Sequence, residues 1–351
     1  MQIYFIVWLF LCAAAMFDFS AIPQKQKNYI AVFSAVIACL FCGLRGDVDK
    51  DYANYVGYWN NAPSLLNCTI GSFIVQIIRH RVEPGYIFTC AVLKTLGLNA
   101  QAIFLFCSIL TFAIFYKIAK KISPMPNLSL LLFFSLFIML PFMQIRFGVA
   151  IVCIFYGILC WREGMKKKSV TLFIVAALFH NLTWGCLLAL PLLRLETRYL
   201  IWLTALSILI PSFLIRTIAA AVFNTLGAYS GYLVGEDSLS MLSIFFNIVI
   251  ILPVLYLYKL NNKLSITTIL LIKAYLIYII ISLTVRDIAI LARIGIVFSL
   301  SSCFIIPYYL RIMKQNNFHY LVFALLIFTY CFLKYLPCLK FFEPYKINFI
   351  L

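Results

Sequence analysis

Acidic residues are scarce in this sequence, with 11 Asp and Glu against 28 Lys and Arg in 351 residues. Charged residues of both signs make up 11% of the chain, where an ordinary globular domain carries roughly 25%. That shortage excludes a soluble domain. With 65% hydrophobic residues and a mean hydropathy of +1.03, too little polar surface remains to cover such a core. Histidine is rarer still, with three residues, and none of the 12 cysteines forms a CxxC or Cys/His pattern, so no metal-binding motif is expected. Most cysteines (Cys12, Cys39, Cys42, Cys107, Cys153, Cys160, Cys303) lie inside apolar runs and read as small hydrophobes. The first segment, Ile3–Phe19, lacks a basic n-region and a small-residue cleavage site, which points to a span rather than a signal peptide. No repeat of fixed period and no long linker divides the chain.

Long apolar runs fill the sequence instead. In hydrocarbon every backbone N–H and C=O needs an internal partner, and runs of this length form helices; barrel strands would be shorter and strictly alternating. A core of about 30 Å takes about 20 helical residues, fewer where helices are broken. The candidate spans are Ile3–Phe19, Tyr29–Gly43, Ala100–Tyr116, Leu128–Pro141, Phe147–Trp161, Val170–Phe179, Leu182–Leu193, Tyr199–Phe223, Leu239–Tyr258, Ile266–Leu283, Ile288–Leu310 and Phe318–Leu333. The expected fold is an all-α polytopic membrane protein of roughly 10–12 transmembrane helices, short hairpins included. Residues 1–351 are read as a single integral membrane domain with outer loops at about 44–99 and 224–238.

A net charge of +17 raises the question of nucleic acid, but the Lys and Arg sit singly or in small clusters at the ends of apolar runs, as orientation signals. The expected partner is therefore the lipid bilayer and not nucleic acid. Lys25/Lys27, Lys117/Lys120/Lys121, Arg162/Lys166/Lys167/Lys168, Arg194/Arg198, Lys259/Lys263 and Arg311/Lys314 fall on one side of the spans, with only Glu163 and Glu196 as acids beside them. Positive-inside makes that side cytoplasmic. The other side gathers Asp47, Asp49, Asp51, Glu83, Glu236, Asp237, Asp287 and Glu343, together with Arg45, Arg146, Arg216, Arg286 and Arg293. An arginine near a membrane centre costs roughly 2.5–3.5 kcal/mol on insertion scales, so such residues usually face a partner or a wet cavity.

Five constellations on that side bear on chemistry. Leu44 to Tyr55 places Asp47, Asp49 and Asp51 at alternate positions after a Gly-containing turn, suited to acid/base work or to sugar hydroxyls, with Arg45 as an anion binder. The plain alternative is a solvated loop; a Ca²⁺ loop lacks its Gly and Glu. Glu83-Pro84-Gly85-Tyr86 reads either as a helix cap, since Pro favours the first turn, or as a carboxylate that takes a proton from a hydroxyl. Gln144-Ile145-Arg146-Phe147-Gly148-Val149-Ala150 lies between two arms of 14 to 15 residues, which places Arg146 at the outer tip of a hairpin. A guanidinium there, beside the N–H groups of a helix start, suits phosphate oxygens; the alternative is an interfacial snorkelling arginine. Phe179-His180-Asn181 interrupts an apolar stretch bounded by Lys168 and Arg194, so His180 is read at a second tip rather than buried within one long helix. Arg286-Asp287 and Arg293, seven residues on, share roughly one helix face; Asp287 neutralises one arginine and leaves Arg293 for an anionic ligand.

These elements resemble the EpsG/Wzy-type family of bacterial polysaccharide (O-antigen) polymerases. The likeness rests on Gly43-Leu44-Arg45 with Asp51-Tyr52 and Tyr55, Glu83-Pro84-Gly85-Tyr86, Gln144 to Ala150 and Phe179-His180-Asn181, in that order over roughly residues 40 to 300. No one motif is specific; four in order on a polytopic scaffold are. Two departures are Asn181-Leu182, where a small residue or Pro is more usual after the His, and Phe147, where Gln is more typical. Neither removes an ionisable group. The resemblance implies a GT-C-like enzyme of the bacterial inner (cytoplasmic) membrane with its active site facing the periplasm. It would join polyprenyl-pyrophosphate-linked oligosaccharides, as donor and acceptor, without a cofactor or metal, and with a chain-length regulator as a further partner. Arg146, Arg293, Arg286 and Arg45 are then the candidate pyrophosphate binders. His180, Glu83 and Asp51 are the candidate bases, and Tyr52, Tyr55 and Tyr86, with Tyr58 and Trp59, are the candidate sugar-stacking residues. The alternatives are a GT-C-type transferase that moves one sugar from polyprenyl phosphate, and a transporter or flippase, which commonly shows internal repeats.

Overall fold

The structure, a computed structural model, describes residues 1–80, 82–209, 217, 241–260, 264–285, 288–314 and 317–349. It is 81% helical, with no strand among the described residues. Seven helical stretches are long and apolar enough to cross a membrane, and five shorter apolar helices of 10–17 residues accompany them, both among the described residues. This is the all-α polytopic fold expected from composition.

The chain divides into two compact units, Met1–Asn181 with Gln315–Leu351, and Leu182–Lys314. The first holds α1 (Gln2–Met16), α2 (Gln24–Gly43), α3 (Tyr52–Asn61), α4 (Ile70–His80), α5 (Pro84–Thr95), α6 (Gln101–Ile122), α7 (Pro126–Phe137), α8 (Met139–Phe142), α9 (Ile145–Arg162) and α10 (Lys166–Phe179). At its centre is α9, apolar on every face and almost wholly buried, with α10, α6 and α8 packed on it. The N-terminal end of α7 is held by Asp18, whose carboxylate accepts the Leu128 N–H at 2.8 Å and the Asn127 amide at 2.9 Å. Lys27 secures the same turn by donating to the carbonyls of Asp18 and Ser20, each at 2.9 Å.

In the second unit lie α11 (Thr183–Ala189), α12 (Thr197–Leu209), α13 (Met241–Lys259), α14 (Ile266–Thr284), α15 (Ala289–Ser299) and α16 (Ser302–Met313). Helices α12, α15 and α16 pack on α14. Lys273, well inside the apolar α14, reaches the Leu193 carbonyl at 3.3 Å, at the end of a short 3₁₀ turn. The outer loop read at 224–238, and Arg216, Arg286 and Asp287, lie outside the described residues.

The chain closes with α17 (Asn317–Cys338), which packs on α7 in the first unit. Beyond it residues 342–348 run antiparallel to the loop after α2. Gly46 N–H donates to Lys346 O at 2.8 Å, Glu343 N–H to Val48 O at 2.8 Å, and Asn348 N–H to Leu44 O at 3.0 Å. This strap satisfies backbone groups of a buried loop that has no secondary structure of its own.

Candidate functional site

One end of the first unit brings together the C-terminus of α2, the N-termini of α3, α5, α6 and α9, and the C-terminus of α10. Two glycines let these ends approach. A Cβ on Gly85 would come within 2.6 Å of Leu178 Cβ and 2.8 Å of its carbonyl oxygen, so α5 lies directly against the end of α10. A Cβ on Gly148 would sit 3.0 Å from the backbone carbonyl of Leu140, which sets α9 close against α8.

Arg146 occupies the first turn of α9, directly after the Met143–Gln144 connection from α8: helix begins at Ile145 and gives α9 18 residues, enough for a span. The arm after Arg146 is therefore longer than the 14 to 15 residues expected, while the arm before it is short, with 12 residues in α7 and 4 in α8. The Gln144 cap offers no side-chain acceptor to the free N–H groups of the first turn. The guanidinium is mostly buried and ion-paired with Glu83. Its Cζ lies 5.7, 5.5 and 5.6 Å from the ring centroids of Tyr55, Tyr58 and Tyr86, within cation–π range of all three. Its Nε is buried and meets no acceptor among the described residues.

Glu83 is the N-cap residue of α5 by position, with Pro84 in the first turn, yet its side chain makes no capping bond. The carboxylate turns away, one oxygen to Arg146 and the other accepting the Asn181 N–H at 3.2 Å. His180 ends α10 in extended backbone, φ −158° and ψ 124°, and the next helix starts at Thr183. The helix break read at His180 from the sequence is therefore present. Its ring lies 4.9 Å from that of Phe147, the neighbour of Arg146. Thus Glu83-Pro84-Gly85-Tyr86, Gln144 to Ala150 and Phe179-His180-Asn181 meet at one place.

The first motif joins through α3. Asp51 precedes its first turn and Tyr55 follows one turn on, so both project along one side of the helix. Asp51 is half-buried, and its carboxylate has no ion-pair partner among the described residues. Burial raises its pKa, neighbouring Asp49 raises it further, and Lys50, then Arg146, pull it part of the way back. Burial likewise pushes the Tyr55 hydroxyl up to about 12, with Arg146 opposing.

Arg45 does not join this cluster. It is fully buried, its Nε–H donates to Asp49 at 2.9 Å, and its Cζ lies 4.7 Å from the Phe104 ring and 4.9 Å from that of Phe142. The second Asp49 oxygen accepts the Asp51 N–H at 3.0 Å, so the Arg45–Asp49 pair fixes the start of α3. Tyr52 also turns elsewhere: its ring stacks on Phe104 at 4.7 Å and its hydroxyl meets Gln101 and Asn348. Arg293 is half-buried on α15, in the second unit. Gln101 and the strap were not legible as parts of the site. Gln101 donates to the carbonyls of Gly43 at 2.6 Å and Arg45 at 2.9 Å, a contact across more than 50 residues that no local pattern announces.

A mostly buried arginine, paired with a carboxylate and ringed by three tyrosines, thus lies at one end of the first helical unit of a multi-pass membrane protein. The model of the EpsG family matches residues 28–347, and the chain belongs to that family, which includes Wzy-type polysaccharide polymerases. No curated protein and no solved structure matches the chain. At the family level the protein is a polysaccharide polymerase-type membrane protein.

Proposed function

We propose that this protein joins polyprenyl-pyrophosphate-linked oligosaccharide repeat units on the periplasmic side of the bacterial inner membrane, in O-antigen or capsule assembly. In the reaction the bond between the donor sugar's anomeric carbon and the pyrophosphate oxygen breaks. A new bond forms from that carbon to a hydroxyl oxygen of the acceptor unit, the hydroxyl proton passes to a base, and polyprenyl pyrophosphate leaves.

The observation that carries this reading is Arg146. It is a planar donor fork in a mostly buried aromatic cage, with an unused buried Nε–H and the uncapped N–H groups of α9 alongside. Donors fixed in place in a water-poor site are what a developing diphosphate leaving group requires. Asp51 is the preferred base, since it holds no ion pair among the described residues while Glu83 is engaged by Arg146 and Asn181. His180 is the second choice. Glu83 then acts as a positioning residue, and Tyr55, Tyr58 and Tyr86 orient the guanidinium; with Tyr86 fully buried, sugar stacking falls to Tyr58. Arg286 and Arg293 carry the anion-binding proposal from the sequence alone. Arg45 is assigned to holding the α3 start.

Replacing Arg146 with Lys keeps the charge and loses the fork. In a strain whose own copy is deleted, the variant is expected to leave single repeat units and a strongly shortened polysaccharide ladder. A ladder of normal length from Arg146→Lys, at wild-type protein level, would sink the bidentate role. Growth by one sugar at a time in a purified system would favour a polyprenyl-phosphate-dependent transferase instead.

A further inference from the structure

Helix α4 is too short to span and too apolar on one side for water. Its start is written into the sequence: Thr69 Oγ1 accepts the Ser72 N–H at 3.1 Å while Ser72 Oγ accepts the Thr69 N–H at 3.1 Å, a reciprocal cap. Eleven residues rise about 16 Å, half the thickness of a hydrocarbon core of about 30 Å. Ile70, Ile74 and Ile78, spaced by one turn, form a stripe that is 82%, 47% and 71% exposed, and Leu66 in the preceding turn extends it at 80%. On one flank Phe73 and Ile77 are half-buried; on the other Ser72 and Arg79 are exposed. Set upright in lipid, the helix would bring Ser72 and Arg79 into hydrocarbon. Lying flat, it directs the isoleucines down and Ser72 and Arg79 toward water, the pattern of an interfacial helix.

The depth at which α4 sits follows from the chain after it. Glu83 is three residues beyond the end of α4 and pairs with Arg146 in the first turn of membrane-spanning α9, so the end of α4 is level with the end of a span. A lipid surface is present at that level around any membrane-spanning bundle, and Arg79 beside the stripe matches its phosphates.

We infer that α4 is a membrane-surface anchor, with Ile70, Ile74 and Ile78 in the acyl-chain boundary and Arg79 among lipid phosphates, holding the Glu83 turn at headgroup depth. This placement stands on the helix itself and does not depend on the reaction proposed above.

The test uses full-length protein carrying the photocrosslinker p-benzoylphenylalanine in place of Ile74, Ile78 or, as control, Ser72. Each variant is irradiated in nanodiscs of phosphatidylethanolamine and phosphatidylglycerol and in intact cells, and adducts are read by mass spectrometry. The expected result is several-fold more lipid adduct from positions 74 and 78 than from 72 in both settings. Equal or lower lipid yield at 74 and 78, or crosslinks from them to another protein or a second copy, would overturn the assignment.

Discussion

Arg146 and Glu83 form a mostly buried ion pair, and each depends on the other for its partner in a poorly hydrated place. Removing one member of such a pair leaves an uncompensated charge and costs about 3–5 kcal/mol. Glu83→Ala is therefore expected to lower the stability of the detergent-solubilised protein by that order. The double variant Glu83→Ala/Arg146→Ala should cost clearly less than the sum of the singles, and additive losses in unfolding measurements would contradict the coupling. Asp51 gives a pH signature. Its folded pKa is raised by burial and by Asp49, so ionisation works against folding. Its contribution to stability is complete below the unfolded value of about 3.9 and is lost as pH rises through the folded value. As a base it must be ionised, so activity is expected to fall on the acid side at a pH above the ordinary aspartate range, and that limb should vanish from the residual rate of Asp51→Asn. An acid limb that persists in this variant would move the base role to His180. Residue type could not separate Arg45 from Arg146 in the sequence. Their neighbours do: Asp49 and two Phe rings enclose the first completely, while Glu83 and three tyrosines surround the second and leave its side chain 19% exposed.

At the scale of elements, the glycines of two motifs serve contact between helices. Gly85→Ala would drive a methyl group to 2.6 Å from Leu178 Cβ and against its carbonyl, and Gly148→Ala would place one 3.0 Å from the Leu140 backbone. Backbone cannot yield as a flexible side chain can, so both variants are expected to melt lower and to shorten the polysaccharide ladder. The loss at Gly85, the tighter contact, should be the larger, with overpacking of this kind typically costing 1–3 kcal/mol. Wild-type melting temperatures for both would show that the helices are not so closely held. The boundary of α9 illustrates what a sequence hides. The apolar run is read from Phe147, but Ile145 and Arg146 already have helical backbone, and the arginine's charge is met by Glu83, which precedes α5 and is distant in the chain.

At the scale of the whole molecule, the charge asymmetry of the sequence predicts an orientation in the membrane. Basic segments such as Lys166–Lys168, at the start of α10, are expected in the cytoplasm and the Asp47–Lys50 loop on the opposite side. Single cysteines at Lys167 and Asp47, in a background without accessible native cysteines, should differ in labelling by a membrane-impermeant maleimide added to spheroplasts: Asp47→Cys reacts and Lys167→Cys does not until the membrane is opened. The reverse pattern would place the Arg146 cluster in the cytoplasm and end the periplasmic reading.

Membrane class, helical content and the approximate place of most spans follow from composition and run length alone, because hydrocarbon leaves the backbone one economical solution, and that solution is local. The motifs themselves, and the break at His180, are also legible locally. What only the tertiary structure decided is which charges share a site. Glu83 reads equally as cap or as catalyst until its carboxylate is seen to reach Arg146 and Asn181, 63 and 98 residues away. Arg45 reads as an anion binder until Asp49 and the strap from residues 342–348 close over its loop. Charge has no meaning for function until its counter-charge and its access to water are known, and both are set by residues distant in the chain.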